Sequence, residues 1–180
     1  MDFSARAVIL GAGTLESTRI LLNSRSSAHP TGVGNSSGLL GCYLSEHIMG
    51  IRGSGYVPAR IGTETTLDDG RPVGPYIPRF RNVTEPSPDF LRGYGFQGGI
   101  LRENWRRGVT RPGIGAEYKA SLRAPGPWRL GMGGFGEMLP RWDNRVTLHP
   151  TQVDKWGIPL VHIDCSLGEN DKKMIASMRA

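Results

Sequence analysis

The stretch Ala7-Val8-Ile9-Leu10-Gly11-Ala12-Gly13-Thr14-Leu15-Glu16-Ser17 constrains the fold more tightly than any other part of the chain. An apolar run that meets two spaced glycines and then helix formers predicts a short buried strand over 6–10, a tight turn, and a helix. Thr14 is expected to cap that helix, and Leu15, Ile20, Leu21 and Leu22 to form its apolar face to about Ser24. Strand, turn and helix are half of a βαβ unit, and a parallel strand is buried only when it has neighbours on both sides. One half-unit does not supply them. Met174, Ile175 and Met178 lie at helical spacing in a final segment that carries no stop signal. The expectation is therefore an excerpt, truncated at both ends.

A dinucleotide fingerprint is the first function this stretch suggests. It requires a third glycine, so that helix and strand can pack closely, and an acidic residue about 20 positions on for a ribose hydroxyl. Gly11 and Gly13 fit, but Glu16 stands at the third position and residues 30–45 contain no Asp or Glu. A carboxylate in the first turn also competes for the positive end of the helix dipole that a pyrophosphate would use. The stretch is not a primary nucleotide fingerprint.

The polar loop from Ser26 to Ser37 leads to a second expected helix, on Leu39, Leu40, Tyr43 and Leu44, ending near His47. From Ile48 to Leu139 the texture changes. The chain's 26 glycines and 13 prolines exceed the usual combined share of roughly 12% and follow no period, which favours short strands and turns over a bundle. Gly55-Tyr56-Val57, Tyr76 to Phe80, Tyr94 to Gln97 and Trp128 to Met132 alternate, carry aromatics and are bounded by turn residues, as in a meandering antiparallel sheet. Pro78 places its strand at an edge or bulge. Arg145 to His149 and Pro159 to Ile163 read as two further strands, and a helix is expected from Gly168.

Charge and cysteine content narrow the function classes. The net charge of +6 comes from basic residues scattered among turns, which is no nucleic-acid footprint, and no nucleic-acid partner is expected. No run approaches the ~20 apolar residues of a membrane helix. Cys42 and Cys165 have no metal-ligand spacing and read as two buried thiols, with a disulfide left open; no metal site is expected.

Ala12-Gly13-Thr14-Leu15-Glu16-Ser17-Thr18-Arg19-Ile20-Leu21-Leu22-Asn23-Ser24 resembles the second signature of the glucose-methanol-choline (GMC) flavoprotein oxidoreductases, with Thr18 where that signature has proline. Gly34-Asn35-Ser36-Ser37 through Leu44 and His47 resembles the stretch that follows it. Tyr76 to Asn82, Phe90 to Gly99 and Asp143 to Leu148 resemble blocks of the bacterial gluconate and fructose dehydrogenase-like branch.

The resemblance implies an α+β fragment: an antiparallel-sheet substrate domain, residues 48–142, flanked by pieces of a Rossmann-type FAD-binding domain, residues 1–47 and 143–180. It implies FAD as cofactor and removal of hydride from the CH–OH carbon of an alcohol, sugar, polyol or sugar acid, with an electron-acceptor subunit as a further partner. It places the catalytic base beyond residue 180, so that the excerpt alone would neither retain FAD nor turn over. Ala12, Gly13 and Thr14 are the implied cofactor contacts. Tyr94, Phe96, Gln97 and Glu137 are the candidates for the substrate face, weighed against the ordinary role of period-2 aromatics as sheet core. A stand-alone polyol- or sugar-binding module without catalysis is the alternative.

Overall fold

The computed structural model describes residues 3–60 and 74–180. The chain is α+β, with antiparallel sheets, and divides into two compact units: residues 3–46 with Leu139–Gly168, and His47–Met138 with Glu169–Ala180.

In the first unit a helix, α1 (Thr14–Asn23), packs against an antiparallel pair, β5 (Arg145–Val153) and β6 (Pro159–Asp164). Leu22 and Val146 are its buried apolar residues. Gly41 passes the β5 backbone closely, with Val146 N–H donating to Gly41 O at 2.8 Å. Its φ of +89° and the Val146 carbonyl beside it together exclude a side chain there. An ion pair ties the helix to the strands. The Arg19 guanidinium reaches Asp154 Oδ2 at 2.8 Å and donates to the carbonyls of Pro159 and Ile158. Asp154 Oδ1 meanwhile accepts from the backbone N–H of Trp156 and Ile158, which closes the β5–β6 turn. Asn144 is buried and satisfied by a reciprocal pair of bonds to Ser166 N–H and Ser166 O.

In the second unit four strands form one sheet in the order β1-β4-β3-β2, where β1 is His47–Tyr56, β2 Tyr76–Ile77, β3 Tyr94–Arg102 and β4 Trp128–Glu137. A helix, α3 (Glu169–Arg179), covers one face. Met174 and Met178, one turn apart, meet Ile48, Tyr94, Phe90 and Met138, and Met174 and Ile48 are 0% and 1% exposed. A one-residue bulge lies in β1 between Ile48 and Ile51, where Gly50 takes φ +96°. Because of it Ile48 and Ile51 pair with Gly136 and Gly134, so both isoleucines reach the helix-covered face. Tyr94 donates from its hydroxyl to Ser177 O, so the aromatic ring is buried with its polar end satisfied.

Several sequence expectations are corrected. Residues 6–10 form no strand, and Val8 and Ile9 stand 88% and 94% exposed. A strand exists only through its ladder partners, and none of the described strands pairs with this run. Residues 39–46 form a turn, an isolated bridge from Cys42 to Arg145 and irregular backbone rather than a helix, because Gly38, Gly41 and Tyr43 all take positive φ. His47 accordingly opens β1 instead of ending a helix. Gly13, not Thr14, occupies the cap position of α1, with no side-chain cap. Leu15 and Ile20 remain exposed. β2 is an edge strand, cut to two residues by Pro78. The sheet is not a simple meander, since β1 lies beside β4. The helix at Glu169–Arg179, grouped by sequence with 143–168, packs on the sheet of the second unit. Helix α2 (Gly115–Arg123) has no buried residue, and so lacks the apolar periodicity that would have marked it. Cys165 is exposed and Cys42 half-buried, and both are free thiols.

Two outcomes follow. A Cβ added at Gly136 would stand 2.6 Å from Met174 Sδ and 3.3 Å from Ile48 Cβ. Gly136→Val is therefore expected to lower stability by about 1–3 kcal/mol through overpacking, measured by urea denaturation. At Asp154, partial desolvation raises the carboxyl pKa, but the Arg19 hydrogen bond and the two turn N–H groups together hold it below the ordinary aspartate value. A depressed folded pKa stabilises above the unfolded pKa, and that contribution is lost as pH falls through the folded pKa. Asp154→Asn keeps the turn acceptor and removes the charge. Its melting temperature is expected to lie below wild type at pH 7, with the gap closing below about pH 4.

Candidate functional site

Where α3 lies on the four-stranded sheet, the two faces differ in what their glycines do; beyond it Gly53 and Gly55, on the same side as the helix, also meet nothing within 4 Å. On the helix-covered face, added Cβ atoms at Gly134 and Gly136 would meet Met178 Cε at 2.5 Å and Met174 Sδ at 2.6 Å, so these glycines admit α3. On the opposite face, Cβ atoms at Gly99 and Gly131 would meet nothing within 4 Å, and at Gly133 only Phe135 and a backbone oxygen beyond 3.6 Å. None of these three has a positive φ. Glycine weakens a strand interior, and here neither backbone conformation nor a neighbouring element requires it. Their effect on this side is clearance above the sheet.

The strand register assembles that clearance into a floor. Arg52, Gly133 and Gln97 form one row across β1, β4 and β3; Ser54, Gly131 and Gly99 form the next; Tyr56, Arg129 and Leu101 form the third. With strands about 4.8 Å apart and alternate residues about 7 Å apart, the bare patch has the dimensions of a small ring. Phe135 borders it on β4. The resulting concavity has a volume of about 1050 Å³, the scale of a small-molecule site.

The segment 103–125 forms one wall and is held by its own bonds. Arg107 donates to the carbonyls of Ser121 and Ala124 at 2.6 and 2.7 Å and closes the end of α2. Tyr118 donates to Gly108 O and Arg111 O, tying α2 to the single-turn helix Trp105–Val109. Arg111 pairs with Glu103 at 3.1 Å. The wall is thus built before any ligand arrives.

The four sequence candidates for a substrate face do not converge. Tyr94 and Phe96 lie on the helix-covered face, where Tyr94 stacks edge-on with Phe96 and Phe80. Gln97, one residue on, points to the open face and lines the concavity. Glu137 ends β4 and is shared between Arg79 at 3.3 Å and Arg92 at 3.9 Å, which secures the loop before β3. The open-face residues Arg52, Ser54, Gly99, Arg129, Gly131 and Gly133 were missed. Their signal was the alternation Arg52-Gly53-Ser54-Gly55 and Gly131-Met132-Gly133, which becomes a surface only once β1 is known to pair with β4.

Ala12, Gly13 and Thr14 stand at the exposed start of α1, in the other unit. Gly13 has φ −61° and ψ 162°, which any residue adopts, and a Cβ on Gly11 or Gly13 would meet open space. Ser17 and Thr18 donate back to Ala12 O and Thr14 O, holding the turn in register with the helix. Arg19, five residues on from Thr14, is committed to Asp154. None of His29, His47, His149 and His162 lines the concavity. His149 Nδ1 accepts from Thr151 and Gln152 N–H, so its ring is fixed at the irregularity of β5 between Leu148 and Val153. Among the described residues no cluster of three metal-ligating side chains occurs, and no helix is long and apolar enough to cross a membrane.

No family model matches the chain. The chain is similar to a 2-methyl-1,2-propanediol dehydrogenase of Mycolicibacterium austroafricanum, at 29% identity over 185 aligned positions. The alignment covers 94% of this chain but 31% of the dehydrogenase, so the chain spans about a third of the length of the curated relative it matches.

Proposed function

We propose that this chain contributes the substrate-side sheet of an alcohol-oxidising oxidoreductase, with the open, glycine-floored face as the surface on which the substrate lies. The observation that carries the reading is the set Gly99, Gly131 and Gly133, whose absent side chains keep backbone exposed where no packing or conformational demand accounts for it. Similarity along nearly the whole chain to a dehydrogenase of a small diol supports the reaction class. Gln97 and Ser54 bring hydrogen-bonding groups to the edge of the floor, suited to hydroxyls, while Phe135, Tyr56 and Leu101 supply apolar contact for a carbon skeleton.

Flavin is the cofactor this reading takes, as the resemblance to GMC oxidoreductases implies. The turn at Gly11–Thr14 fits such a role, because a ligand can approach its backbone without meeting a Cβ at Gly11 or Gly13, and no side chain caps the helix start. A bound flavin would supply the hydride acceptor. The protein's own part is to hold the alcohol carbon and its hydroxyl in a fixed orientation against the rigid sheet, excluding water with the 103–125 wall.

Titration of isotope-labelled chain with 2-methyl-1,2-propanediol and with glycerol is expected to shift the amide signals of Gln97, Gly99, Gly131 and Gly133. Gly131→Leu should abolish those shifts while leaving the melting temperature within a few degrees of wild type, since its side chain enters open space. Shifts confined to other residues, or surviving in Gly131→Leu, would overturn the assignment of the face. For the cofactor, the resemblance leaves most of the flavin site outside this chain, so quenching of flavin fluorescence is expected only at high chain concentration, and should weaken in Gly13→Leu; measurable quenching that is equal in both proteins would remove the Gly11–Thr14 turn from the reading.

A further inference from the structure

Resting on that reading of the open face, we propose that Arg52 and Arg129 form an anion subsite at its edge, so that the preferred substrates are hydroxy acids rather than neutral alcohols. The two arginines stand on the same face of the sheet, Arg52 in the row of Gly133 and Gln97, Arg129 in the row of Tyr56 and Leu101. The row between them is Ser54, Gly131 and Gly99, the barest part of the floor. Arg129 donates from Nη2 to Ser54 Oγ at 2.9 Å, which draws its guanidinium along the sheet into that middle row.

Among the described residues, nothing balances the charge on this face. β1 and β3 contain no acidic residue, and β4 only Glu137, which is shared by Arg79 and Arg92. Glu103 lines the concavity but pairs with Arg111, and Arg107 is committed to the carbonyls of Ser121 and Ala124. Among the described residues, Arg52 and Arg129 have no carboxylate within ion-pair distance. An oxyanion set in the row between them gains charge-assisted hydrogen bonds from planar donors. A carboxylate carried by the substrate supplies that oxyanion, and the remainder of a small hydroxy acid then lies over Gly131 and Gly99. The arginines are positioning and specificity residues here, since they fix the substrate's charged end and leave its carbinol over the floor.

Glycerate and glycerol are a matched pair, differing chiefly in the carboxylate, and inorganic phosphate probes anion binding without a carbon skeleton. In titrations of the labelled chain at low ionic strength, glycerate is expected to bind at least about tenfold more tightly than glycerol, as for a charge-assisted pair. Arg52→Gln and Arg129→Gln should each bring glycerate close to the glycerol level. Arg6→Gln, the same charge change outside the sheet, should leave it unchanged, and melting curves of all three variants should match wild type. Glycerate and glycerol binding equally, both lost in Gly131→Leu, would overturn the anion subsite and leave the open-face reading standing. Neither ligand shifting the floor amides would overturn both. Phosphate binding at the arginines without glycerate binding would overturn the substrate class, and glycerate enhancement equally reduced in Arg6→Gln would show a net-charge effect and overturn the site.

Discussion

The second unit depends on the seating of Met174 and Met178 against glycine-bearing β4. A sheet must bury one face, and two flexible thioether side chains one helical turn apart fill the space that Gly134 and Gly136 leave. That contact lets α3 lie close to the central strand and brings Ile48, Ile51 and Tyr94 into one core. The other face is then free of structural duty. Its centre of glycine, arginine, serine and glutamine, bordered by Tyr56, Leu101 and Phe135, is consistent with that division.

The bulge at Gly50 has the same logic on β1. A strand that began in strict alternation from Ile48 would carry Ile51 to the open side, and the extra residue returns it to the core. The shift also fixes Arg52, Ser54 and Tyr56 on the open face, in register with Gly133, Gly131 and Arg129. One positive-φ glycine thus decides both what the core receives and which side chains line the concavity.

The first unit is held differently. Its apolar core is small, with Leu22 and Val146 as the buried members, and a polar clasp does much of the positioning: Arg19 to Asp154, and Asp154 to its own turn. Side chains of this pair are 15% and 16% exposed, so the charges are partly withdrawn from water and are matched by several hydrogen bonds rather than by one contact. This accounts for Arg19 within the segment that resembles a flavoprotein signature: its first task in the structure is to hold α1 to the hairpin.

Local patterning made much of this legible. Helix α1, the alternating β3, β4, β5 and β6, the edge position imposed by Pro78 and the C-terminal helix all follow from short-range periodicity and turn chemistry, which depend on neighbouring residues alone. The run at 6–10 shows the limit of that reasoning: its apolar pattern is strand-like, yet a strand is a pairing, and none of the described strands pairs with it. Positive φ at Gly38, Gly41 and Tyr43 likewise overrode a helical-looking spacing. The candidate site was less legible still. Tyr94 and Gln97 sit three positions apart and look equally suited to a ligand, but strand alternation sends one to the core and the other to the open face, and only the position of α3 says which face is which. By itself the sequence determined the types of α1, β3 to β6 and α3, the glycine-rich strands and the excess of arginine. The tertiary structure decided that β1 pairs with β4 across some eighty residues of chain, and so which glycines admit a helix and which leave bare backbone. Register and facing are set by long-range hydrogen bonding and burial, to which local sequence is blind.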